Sequence, residues 1–104
     1  MELLEYQKKC LDTWSGDQKL IRGFLGVSGE SGELAETIKK HLRGDYDIDE
    51  VKRRAFKELG DILYYVAITA HELDINLNDI AQANIDKLAK RKSEGKIKGD
   101  GDDR

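Results

Sequence analysis

Two short segments, Glu30-Ser31-Gly32-Glu33 and Glu58-Leu59-Gly60-Asp61, constrain this chain more than anything else in it. In each, two carboxylates stand three residues apart, so on a helix they share one face, one turn apart. Like charges at that spacing destabilise an isolated helix by about 0.2–0.5 kcal/mol. The glycine before the second acid costs roughly 1 kcal/mol more than alanine in a helix interior. A fold that carries this arrangement twice has to compensate it. Held face to face on two helices, Glu30, Glu33, Glu58 and Asp61 make an all-oxygen cage for a hard divalent cation, Mg²⁺ or its substitute Mn²⁺.

Composition limits where such a cage can be built. A chain of 104 residues makes one domain. The absence of proline permits long uninterrupted helices. A formal net charge of -3 gives no basic surface for nucleic acid. The single Cys10 forms no internal disulfide and offers no zinc-type spacing. The segment Met1–Cys10 mixes Leu with Glu and Lys and does not read as a signal peptide. The longest apolar run, Ile62 to Ala70, is nine residues and too short to span a bilayer. A cytoplasmic protein with no membrane contact is the expectation.

The hydrophobic periodicity predicts an all-α, four-helix bundle, with two long central helices carrying the acids. The first helix covers about Glu2 to Trp14, with Leu4, Leu11 and Trp14 on one stripe. The second runs from Lys19 to Arg43, with Gly44 placed for a left-handed C-terminal cap. The third follows Asp47, an N-cap with Glu50 in capping-box position, and continues to Leu73. The fourth starts after Asn76 and ends near Ser93. The domain is thus residues 1–93, followed by a Gly/Asp/Lys-rich flexible tail, 94–104. Gly26, Gly29 and Gly32, with Gly60 on the third helix, are expected to let the two central backbones approach closely. The third helix is apolar nearly all round between Leu59 and Ala70, which argues that a second copy completes the bundle. A compact monomer is the alternative.

With 21 acids in the chain, some i,i+3 pairs arise by chance, Glu33 and Glu36 among them. The two motif pairs differ because they flank glycine or apolar stretches, where ionised carboxylates need a cation or donors. Asn84, Lys87 and Arg91 share one face of the fourth helix. An amide and two cations there suit phosphate oxygens, although a basic last turn also complements the helix dipole.

Taken together, Gly29-Glu30-Ser31-Gly32-Glu33-Leu34 and Glu58-Leu59-Gly60-Asp61-Ile62-Leu63-Tyr64-Tyr65, with 24 residues separating Glu33 from Glu58, closely resemble the MazG-like nucleoside triphosphate pyrophosphohydrolases. The later Asn84-Ile85-Asp86-Lys87-Leu88-Ala89-Lys90-Arg91 resembles that family's Asn-x-x-Lys-Leu-x-x-Arg segment, so the likeness covers Trp14 to Arg91. The joint pattern is specific where either acidic pair alone would be weak. The resemblance implies an all-α fold, a homodimer or homotetramer, and Mg²⁺-dependent cleavage of a nucleoside triphosphate between its α and β phosphates. It implies Glu30, Glu33, Glu58 and Asp61 as metal-holding catalytic residues. Asn84, Lys87 and Arg91 would then hold phosphate, Tyr65 would contact the nucleotide, and Trp14 would stack a base. A phosphoribosyl-ATP pyrophosphohydrolase and a non-catalytic nucleotide-binding oligomer are the competing readings.

Overall fold

Local chemistry sets where each helix starts and stops. The structure, a computed structural model, describes residues 1–102. Among them the regular elements are all helical: α1 (Leu3–Cys10), a 3₁₀ turn (Leu11–Thr13), α2 (Lys19–Leu42), α3 (Ile48–Glu72) and α4 (Leu77–Ser93). The Asp47 side chain accepts the Glu50 amide at 2.8 Å and opens α3. Only half of the expected capping box forms, because the Glu50 carboxylate turns to Arg53 and Arg54. Asn76 opens α4 by accepting the Asn78 amide.

Gly44, at φ +90°, closes α2 with a Schellman pair: the Asp45 amide donates to the Lys40 carbonyl and the Gly44 amide to the His41 carbonyl. Asp74 closes α3 in the same manner at φ 59°, a position where glycine would be more at ease. The first helix is shorter than its periodicity suggests. Past Cys10 it tightens into the 3₁₀ turn, where the Thr13 hydroxyl donates to the Cys10 carbonyl, and Trp14 leaves in extended conformation.

The long α2 and α3 form an antiparallel hairpin that dominates the packing. Its closest approach lies at two glycines. A Cβ on Gly23 would sit 2.5 Å from Thr69 Oγ1, and one on Gly26 would collide with the Tyr65 ring. Gly29, Gly32 and Gly60 face open space instead, so the expected glycine strip is only partly a contact. The reason is helical phase: each step of three residues falls about 60° short of a full turn, so the strip rotates away from α3 after Gly26, while Gly23 enters it.

The core is small and lies at one end of the hairpin. Cys10 and Trp14 pack there on Ala67, Ile68 and Leu77, flanked by Leu3, Tyr6, Leu11, Tyr64, Tyr65 and Val66. Buried Gln7 ties this end together. Its amide donates to the Ala67 and Ile75 carbonyls and accepts the Leu77 amide, satisfying backbone groups at the α3–α4 turn. Elsewhere the apolar faces are uncovered: Phe24 is 53% exposed, Leu25 66%, Phe56 82% and Leu59 55%. The radius of gyration, 16.4 Å, exceeds the roughly 13 Å of a compact domain of about 100 residues. Among the described residues, no helix is long and apolar enough to cross a membrane.

The contact at Gly26 gives a paired expectation. Gly26→Ala should destabilise the fold by about 1–3 kcal/mol, since the Tyr65 ring must move. Gly29→Ala should be neutral or stabilising by up to about 1 kcal/mol, because alanine is the better helix former in open space. Urea midpoints of the two variants check this, and equal losses would contradict the hairpin register.

Candidate metal centre and nucleotide site

The register fixed at Gly23 and Gly26 continues one turn further into the acids. Glu30 follows Gly26 by four residues on α2, and Glu58 and Asp61 lie one to two turns before Tyr65 on α3. Glu30, Glu33 and Glu58 bring carboxylate oxygens within 4.8 Å of one another. Glu30 and Glu58 are half-buried and Glu33 is exposed. One oxygen each of Glu30 and Glu58 (Oε2) is buried with no hydrogen-bond partner. The neighbouring hydroxyls give no help, since Ser31 donates to the Val27 carbonyl and Thr37 to that of Glu33. Asp61 is exposed and stands outside the trio, yet its charge is felt at Glu30.

Carboxylates so placed resist ionisation. The Glu30 carboxyl is pushed up from 4.5 to about 7, chiefly by the close approach of the Glu58 carboxyl, then by burial and by the charges of Glu33, Asp61 and Glu58. Orphaned carboxylate oxygens in an oxygen-only set are what a hard divalent cation fits; a thiol or imidazole site would select other metals. The residues present therefore suit the group the sequence implied.

Beside Glu33 and Glu58 opens a cleft of about 260 Å³, lined by Thr37, Lys40, Tyr46 and Arg54 as well. Arg54 lies 4.3 Å from the Tyr46 ring centroid and donates to Glu50, which fixes its direction. Lys40 approaches the same ring, its Nζ 5.8 Å from the centroid. Neither Lys40 nor Arg54 stands out in the sequence as a site residue. The available signal was spacing: Arg54 precedes Glu58 by four residues and so shares its helix face.

Tyr65, one turn beyond Asp61, lies over Gly26 and meets Trp14 and Tyr64 edge-on at 6.3 and 5.3 Å between centroids. Trp14 is buried, with its Nε1 donating to Glu72. The Arg22 guanidinium stands 4.5 Å from its ring centroid, held there by the Ser15 and Asp17 carbonyls. Base stacking on Trp14 would require Arg22 to leave.

Asn84 is exposed, Lys87 half-buried and Arg91 buried. Among the described residues, no hydrogen bond or ion pair joins them to Glu30, Glu33, Glu58 or Asp61. Lys87 and Arg91 instead meet Asp102, at 3.1 and 3.3 Å.

The raised Glu30 pKa sets the sign of a pH effect. Between about pH 4.5 and 7 the native chain keeps a proton on Glu30 that the unfolded chain releases, so the stability this group contributes is full below that window and is lost as pH rises through it. In EDTA the melting temperature should drop by several degrees across this range, and Glu30→Gln should flatten the profile. Saturating Mn²⁺ should suppress the drop in the natural sequence. A flat profile in EDTA would contradict the crowding of charge described here.

Comparison with known proteins agrees with this geometry. The model of the MazG nucleotide pyrophosphohydrolase domain matches residues 19–95, a span containing α2, α3, α4 and all four acids. The chain is 42% identical to the Gene 37 protein of Mycobacterium phage L5, with 95% of this chain and 96% of that protein covered. It is 33% identical to the uncharacterized protein YvdC of Bacillus subtilis (strain 168), with 75% and 79% covered. No solved structure matches it significantly. A helical hairpin with facing acidic pairs, matched over most of its length by that domain, belongs to the MazG nucleotide pyrophosphohydrolase family.

Proposed function

We propose that this protein is a Mg²⁺-dependent nucleoside triphosphate pyrophosphohydrolase, which cleaves (d)NTP between the α and β phosphates to (d)NMP and pyrophosphate. The observation that carries the reading is the Glu30–Glu33–Glu58 trio, with two buried, unpartnered oxygens opening beside a cleft that holds Lys40 and Arg54. Glu30, Glu33, Glu58 and Asp61 would hold the ion. When bound, Mg²⁺ neutralises the triphosphate and lowers the pKa of water at the site.

The chain's own groups supply the rest. One of the carboxylates accepts the proton of the attacking water as its oxygen adds to the α-phosphorus and the bond to the β-phosphate oxygen breaks. Lys40 and Arg54 lie where charge on the departing pyrophosphate can be met; Arg54 contributes a planar fork and Lys40 a point charge. Asn84, Lys87 and Arg91 bind further phosphate oxygens. Tyr65 forms the wall against which the nucleotide rests, and we assign Trp14 to bracing that wall from behind. A cytoplasmic setting, where nucleoside triphosphates are abundant, suits this chemistry.

We also propose that the working unit is a homodimer or homotetramer. The uncovered faces of α2 and α3, with Phe24, Leu25, Leu59 and Leu63, form apolar surface of the kind that a second copy covers. Light scattering should show at least a dimer at micromolar concentration, and a fully active monomer would contradict this.

A panel of common NTPs and dNTPs with Mg²⁺, assayed for pyrophosphate beside phosphoribosyl-ATP, tests the reaction. Glu33→Gln and Asp61→Asn, each removing a charge at nearly constant volume, should lower turnover by about 10²–10³-fold, as for loss of other charge-stabilising groups. Helicity by circular dichroism should be unchanged. Near-normal turnover in either variant would remove that residue from the site.

A further inference from the structure

The segment after α4 turns back on the helix. Gly95, at φ +68°, closes α4 with a Schellman pair: the Lys96 amide donates to the Arg91 carbonyl at 2.7 Å and the Gly95 amide to that of Lys92 at 3.2 Å. The chain then returns so that Arg91 Nη2 donates to the Asp102 carbonyl at 2.7 Å, to Asp102 Oδ1 at 3.3 Å and to the Gly101 carbonyl at 3.4 Å. Lys87 Nζ reaches the same Oδ1 at 3.1 Å. One carboxylate thus bridges the two cations of the α4 face.

The two sides of this contact differ in kind. The Arg91 side chain is only 7% exposed, whereas that of Asp102 is 82% exposed. A buried guanidinium needs an anion or acceptors, while an exposed carboxylate on a short tail is easily withdrawn. Moreover, Arg91 Nε is buried and unpartnered. The carboxylate meets one edge of the guanidinium through Nη2 alone. A phosphate group, with three oxygens, can take Nε and Nη2 together in the bidentate geometry arginine favours and still reach Lys87.

We propose that Asp102 is a built-in competitor for the anion seat formed by Lys87 and Arg91, which a substrate phosphate must displace. This rests on the reading of that α4 face as a phosphate site. The tail then acts as a self-ligand: it keeps the buried Arg91 neutralised between turnovers and weakens the hold on bare phosphate compounds. Because the competing contact is tethered, its strength follows from proximity more than from intrinsic affinity.

The test uses the full chain and inorganic tripolyphosphate as probe, with Mg²⁺ held constant and binding read by calorimetry. Asp102→Asn should tighten tripolyphosphate by about two- to fivefold, the range expected from releasing an exposed ion pair, and lower KM for the best nucleotide while kcat holds. Asp100→Asn, a tail acid with no partner on α4, should change neither. Lys87→Ala should weaken the probe about tenfold or more, and Asp102→Asn should bring little further gain in that background. If Asp102→Asn leaves affinity unchanged while Lys87→Ala weakens it, the phosphate face stands and the competition fails. If Lys87→Ala has no effect, the phosphate face itself fails and the competition with it.

Discussion

Gly23 and Gly26 let α2 run close against α3, with Thr69 and Tyr65 filling the space that their side chains would take. That approach sets the register of the hairpin, and the register decides which residues face each other beyond it. One turn further on α2 comes Glu30, then Glu33, and across from them Glu58. The aromatic packing of Trp14, Tyr64 and Tyr65 braces the same contact from the other side. A bulkier residue at Gly26 would therefore disturb the acids without touching them.

The register also creates a conflict. It gathers carboxylates where two of their oxygens find no donor, and it holds Glu30 partly protonated near neutrality. In the function proposed above, a divalent cation would resolve the conflict with a single ion, and the adjoining cleft with Lys40 and Arg54 would take the phosphates. Charge is likewise matched on α4, where Lys87 and Arg91 are answered by the chain's own Asp102.

Much of this was legible in the sequence because it is local. The i,i+3 acids, the Asp47 and Asn76 N-caps and the left-handed Gly44 follow from short-range rules, and all three terminal features appear in the structure. The all-α class and the family follow from pattern and motif. What was not legible depends on which faces meet. Gly29, Gly32 and Gly60 look equivalent to Gly26 in one dimension, but helical phase turns them to open space. Nothing in the sequence marks Gln7, whose amide finds its partners only once the α3–α4 turn is in place. Arg91 shares a helix face with Asn84 and Lys87 in the sequence, but its contact with Asp102, eleven positions on, is tertiary and follows from no local rule. Burial of Trp14 beneath Arg22 likewise comes from tertiary packing, not from its place at the end of a helix.

The claim on which the rest depends is that the facing acids exist to hold a divalent cation. Direct Mn²⁺ binding, followed by loss of the free-ion electron paramagnetic resonance signal, tests it without needing the substrate to be known. The natural sequence should take up Mn²⁺, and the Glu30→Gln/Glu58→Gln double variant, folded by circular dichroism, should lose that uptake. A natural sequence that leaves the free-ion signal untouched, or a double variant that binds Mn²⁺ equally well, would contradict the account.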